Sequence, residues 1–133
     1  MLHEPDRHEA LSPIAWDESR VREAIARFVA DTEARFSTDA YWPTHPRDVD
    51  PGEDTAQPAT PLYFGAAGVM WALAYLQAAG AVTLQRDPLA DLDTLLARNR
   101  EWLVAAGSQD FASYLMGDTP LLLMQYGRHP KAE

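Results

Sequence analysis

The chain has 133 residues, with 20 acidic against 11 basic side chains and a formal net charge of −9. That length fits one modest domain of roughly 100–150 residues, and a hydrophobic content of 47% supplies a core and argues against global disorder. The acidic balance leaves no phosphate-neutralising stripe, so no nucleic-acid partner is expected; the absence of Cys excludes disulfides, thiolate nucleophiles and thiolate zinc ligands.

Met1 to Glu9 mixes His, Glu, Asp and Arg and lacks the basic start and apolar run of a secretory signal. A cytoplasmic location is the expectation. Thr55 to Gln85 carries no charge, and within it Leu62 to Ala79 approaches the about 20 residues that span a bilayer. Pro61, Gly65, Gly68 and Gln77 interrupt it, and no basic cluster fixes an orientation. A buried core helix is therefore expected there, and no membrane span.

Asp17 to Phe36 reads as an amphipathic helix. Val21, Ala24, Ile25, Phe28, Val29, Thr32 and Phe36 recur at three- and four-residue steps, while Arg20, Arg22, Glu23, Arg27, Asp31, Glu33 and Arg35 take other faces. Asp17 and Glu18 suit the first turn, where free amides favour negative charge. Ser37 to Pro61 then holds five of the ten prolines and the acids Asp39, Asp48, Asp50, Glu53 and Asp54, and reads as a long acidic loop pinned at its start by Tyr41 and Trp42.

Leu62 to Ala79 is apolar around its whole circumference, through Val69, Met70, Trp71, Leu73, Tyr75 and Leu76. Such a helix is expected to be enclosed by others, with Gly65 and Gly68 at its start for close helix–helix approach and Gly80 as a left-handed cap. Asp87 to Ala106 is amphipathic again: Asp87 caps, Pro88 takes the first helical position and Gly107 follows the end. Leu92, Leu96, Asn99, Leu103 and Ala106 trace one stripe, with Leu89, Leu95 and Trp102 beside it; Asp91 and Asp93 point apart and read as surface charges. Leu121 to Tyr126 forms a second apolar helix, capped by Asp118 or Thr119, with Pro120 in its first turn and Gly127 ending it.

The second half repeats the first. Leu62-Tyr63-Phe64-Gly65-Ala66-Ala67-Gly68 aligns with Tyr114-Leu115-Met116-Gly117-Asp118-Thr119-Pro120, with Gly65 and Gly117 52 residues apart. Amphipathic and apolar helices in alternation point to stacked hairpins, a toroid or solenoid, over a free four-helix bundle.

Thr60 to Leu76 resembles the first glycine motif of the lanthionine synthetase C-like (LanC-like) family, in which a Leu-Tyr-x-Gly-x-Ala-Gly segment opens an inner helix of an α/α toroid. Ala112 to Leu121 resembles the family's second motif, usually Phe-Leu-x-Gly-Asp-Ala-Gly-Pro; here Thr119-Pro120 stands where Ala-Gly-Pro is usual, so one glycine is missing. The resemblance covers about Val21 to Tyr126. It implies an all-α partial toroid of two hairpins, over residues 1–133, as the N-terminal portion of a longer protein or a truncated relative. In the family a zinc ion held by two Cys and one His activates a cysteine thiol, which adds to a dehydrated Ser or Thr to form a thioether; eukaryotic members resemble glutathione-adding enzymes. None of those catalytic residues transfers to this chain. The expectation is a scaffold and peptide-binding wall without zinc, whose partners are the remainder of a LanC-like chain, a peptide, or further copies meeting through exposed apolar helices.

Other chemistry is sparse. His3, His8, His45 and His129 have no metal-ligand spacing and are expected in solvent. The segment 65–68 lacks the Lys-Ser/Thr of a phosphate loop, and no nucleophile elbow or glycosidase carboxylate pair is visible. Asp118 is expected as an N-cap or as a polar group facing a ring centre; Tyr63 as a core aromatic or a substrate-touching rim residue. Two rival readings are a self-contained interaction module docking a basic or peptide partner on the acidic loop, and a sugar-processing toroid.

Overall fold

The computed structural model describes residues 12–44 and 58–128. The four histidines and Asp48 to Gln57, on which the acidic-loop reading depends, lie outside them. The described residues form four helices: α1 Glu18–Ala34, α2 Ala66–Ala78, α3 Leu92–Ala105 and α4 Thr119–Arg128. Among them the only bridge is an isolated one between Ser37 and Tyr41. The all-α class follows. No helix among the described residues is long and apolar enough to cross a membrane.

Helix α1 starts at its N-cap Asp17, whose carboxylate accepts from the Arg20 amide at 3.0 Å. Val29 is its one buried residue. Phe28, expected on the apolar face, is 73% exposed instead. Contacts to α1 concentrate at its end: the Trp42 indole donates to the Thr32 carbonyl at 2.7 Å, and the Gln85 amide donates to Glu33 at 2.8 Å. The Phe36 ring sits edge-on to Trp42, with the Arg86 guanidinium over it.

Residues 37–41 close on themselves, each end donating its amide to the other's carbonyl. The closure puts Tyr41 at φ 54°, in the left-handed region, a cost of about 1 kcal/mol or more for a side chain of this size. Burial of its ring in the core offsets that cost. Arg98 donates to the Thr38 and Asp39 carbonyls and lies over the Tyr41 ring, so the chain's way into the acidic loop is fixed as expected.

Burial pushes the Tyr41 phenol above its ordinary pKa; the Arg98 charge opposes this and the Asp91 charge adds to it. A raised folded pKa makes this contribution to stability whole below the unfolded value of about 10 and lost as pH climbs through the folded one. Urea midpoints measured against pH should therefore stay level to about pH 10 on this account and fall above it. Tyr41→Phe should remove that fall. At neutral pH it should cost nothing, because the hydroxyl has no hydrogen-bond partner among the described residues. A marked neutral-pH loss in Tyr41→Phe would show that the hydroxyl is bonded after all.

Helices α2 and α3 close with full left-handed caps at Gly80 (φ 68°) and Gly107 (φ 75°). The Ala81 and Ser108 amides reach back to the Leu76 and Leu103 carbonyls. Helix α3 begins four residues later than expected. The Asp87 carboxylate accepts from the Leu89 amide in a local turn and pairs with Arg128, so it caps no helix. Leu92, Leu95, Asn99 and Leu103 form the buried stripe of α3. Helix α4 packs on both α3 and α2 and runs through Gly127, which does not end it.

The core joins Tyr41, Ala66, Ala67, Met70, Leu92, Leu95 and Leu121. Helix α2 is not enclosed on all sides, contrary to expectation. Its buried residues Ala66, Ala67, Met70 and Leu73 hold one side. On the other, Trp71 and Tyr75 stack on each other at 5.6 Å and stand more than half exposed, because no described helix covers them.

Candidate functional site: the paired glycine loops

The two glycine segments fold alike: two backbone bonds recur, and a hydroxyl takes the place of the third. The Gly65 amide donates to the Pro61 carbonyl at 2.9 Å, Ala66 to Ala59 at 2.9 Å and Ala67 to Thr60 at 3.1 Å. Fifty-two residues further on, the Gly117 amide donates to Ser113 at 2.9 Å and Asp118 to Phe111 at 2.7 Å. The Thr119 hydroxyl, in place of an amide, donates to Ala112 at 2.8 Å. The sequence repeat is thus a repeat of backbone geometry.

Glycine is required for space. A Cβ on Gly65 would lie 2.7 Å from the Ala59 and Pro61 backbone, and one on Gly117 would lie 2.8 Å from the Ser113 nitrogen. At Gly68 the obstacle is the Leu62 carbonyl. The close approach is between each helix start and its own incoming loop, and not the expected one between helices. Pro120 replaces the missing glycine of the second segment and is buried in the first turn of α4.

The loops also bind each other. The Tyr63 amide donates to the Leu115 carbonyl at 3.1 Å, and these residues hold the same position in their segments. Asn99, fully buried on α3, ties the pair from beneath. Its side-chain oxygen accepts from the Thr60 hydroxyl at 2.9 Å, and its amide group donates to the Met116 carbonyl at 3.1 Å.

Asp118 is nine-tenths buried beneath the second loop and pairs with Arg100 Nε at 2.6 Å. Its other oxygen has no partner among the described residues, so the carboxylate does not cap α4 as expected; its backbone carbonyl takes the Leu122 amide instead. Tyr63 is not a core aromatic: it is 71% exposed and meets Phe64 edge-on, and Phe64 in turn meets Trp102. Tyr114 and Leu115 are exposed on the neighbouring loop. The paired loops therefore present an aromatic rim beside a half-open guanidinium held by a buried carboxylate, which suits stacking on and hydrogen bonding to a ligand.

Asp91 and Asp93 form no acid–base pair: Asp93 accepts from Gln125 at the surface. Arg100 and Asn99 belong to no recognisable site motif in the sequence; an Asn within the leucine stripe of α3 is the one available signal for the second. The family's zinc takes two Cys and one His, and this chain has no Cys. Among the described residues no three His, Cys, Asp or Glu side chains converge.

Compared with protein-family models, curated proteins and solved structures, the chain matches none of them. Its own architecture defines its class: an all-α chain built on a repeated unit of glycine loop and apolar helix.

Proposed function

We propose that this chain is a two-hairpin stretch of a LanC-like α/α toroid, serving as scaffold and as part of the wall that holds a peptide. The class of reaction is addition of a cysteine or glutathione thiol to a dehydrated Ser or Thr, with the thiol-activating residues supplied from elsewhere. The observation that carries the reading is the recurrence of the Gly65 loop's two leading backbone bonds in the Gly117 loop, together with the Tyr63–Leu115 bond between the loops. In sequence, both loops resemble the motifs that open inner helices in that family. Tyr63, Phe64 and Tyr114 would form the peptide-facing rim, with Arg100 and Asp118 as its polar floor.

The test is fluorescence anisotropy with a labelled peptide containing dehydroalanine. Binding is expected, with a loss of about tenfold in Tyr63→Ala and Tyr114→Ala, the scale of one good aromatic contact. Thiol consumption by the peptide should run no faster with the chain than without it. No binding, or equal binding by both variants, would remove the peptide wall from consideration.

A further inference from the structure

The contact between the two loops has a direction. Tyr63 uses its amide and Leu115 its carbonyl. Applying the same step again would have the Leu115 amide donate to this position in a third loop, and the Tyr63 carbonyl accept from one before it. Neither group has a partner among the described residues.

The side chains follow the same step. Met70 and Ala74 share a face of α2, and α4 packs against α2 with Leu121 and Met124 joining the core around Met70. Met70 is 1% exposed. Its counterpart on α4 is Leu122, which is 46% exposed, and that of Ala74 is Tyr126, 67% exposed. Helix α4 thus carries exposed, at Leu122 and Tyr126, the face that on α2 is buried at Met70 and half-buried at Ala74. In the same way, the α4 residues Leu121 and Met124 correspond to Val69 and Ala72, which are only half-buried, as is Leu76 further along α2.

We propose that the Leu122 and Tyr126 face of α4 docks on the Val69, Ala72 and Leu76 face of α2 in a second copy of this chain, with the Leu115 amide of one copy donating to the Tyr63 carbonyl of the next. The occupant is argued from continuity: the internal α2–α4 contact already joins these two kinds of face. Charge agrees. Chains of net charge −9 repel one another, so close contact is confined to uncharged surface, and α2 has no charged residue. The contact is head-to-tail, so it builds rings or open chains instead of a closed symmetric pair. The proposal needs only the repeat geometry, not the peptide-binding reading.

The chain has no Cys, so Tyr63→Cys and Leu115→Cys each introduce a single thiol. Under mild oxidation a mixture of the two should give a covalent heterodimer, while each alone should cross-link at least about tenfold less. Sedimentation across the micromolar range should show wild-type assembly that strengthens with added salt as repulsion is screened. Leu122→Glu and Tyr126→Glu should sediment as monomers with unchanged helix content and melting. A monomeric wild type, preferential Leu115→Cys homodimers, or assembly that survives both Glu substitutions would each overturn the proposal. A monomeric native protein whose bare face is covered by a further hairpin of a longer chain would do the same. Peptide binding measured on monomeric Leu122→Glu tests the wall separately.

Discussion

Gly117→Ala should destabilise the fold by about 3 kcal/mol and lower its melting temperature by about 12 °C, at about 4 °C per kcal/mol for a chain of this size. The added Cβ meets the Phe111 and Ser113 backbone. These are main-chain atoms, and the Phe111 carbonyl holds one of the loop's own hydrogen bonds, so they cannot withdraw as the end of a flexible side chain could. Gly65→Ala should behave alike, because its Cβ meets the Ala59 and Pro61 backbone. Gly127→Ala is the contrast: it lies inside α4 with open space around it, and should leave stability unchanged or raise it by about 0.5 kcal/mol. If Gly117→Ala melts within about 2 °C of the wild type, the loops are looser than their hydrogen bonds indicate.

Asn99→Leu should cost about 3 kcal/mol, because it leaves the buried Thr60 hydroxyl and the Met116 carbonyl without partners. Asn99→Asp sharpens the test. A carboxylate can accept from Thr60 but offers Met116 only repulsion, and its charge would be buried. Protonation restores a donor, so this variant should regain stability as pH falls, opposite in sense to ordinary acid denaturation. A double-mutant cycle with Thr60→Val should give a coupling of about 1 kcal/mol. Additivity in that cycle would mean that Asn99 holds only one of the two loops.

The helices were legible because their signals are local. Three-four periodicity placed α1 and α3, and Gly80 and Gly107 marked the ends of α2 and α3. The repeat was legible because its backbone bonds impose glycine at the same place twice. What escaped depended on distant partners. Asp87 looks like a cap until Arg128, 41 positions away, claims one oxygen and a local turn the other. Asp118 satisfies every sequence rule for an N-cap, yet Arg100 draws its carboxylate aside. The apolar circumference of α2 identified a helix with more hydrophobic surface than this chain covers. Sequence alone could not show that the bare part would be Trp71 and Tyr75.

Ten of the eleven cationic side chains are Arg. Three of them tie distant segments together: Arg98 to residues 38 and 39, Arg100 to Asp118, and Arg128 to Asp87 and the Leu89 carbonyl. A guanidinium keeps its proton at any pH the protein will meet and offers several donors in a fixed plane. These ties therefore hold in alkali that would neutralise lysine, which leaves the buried phenol of Tyr41 as the weak seam when the medium turns basic.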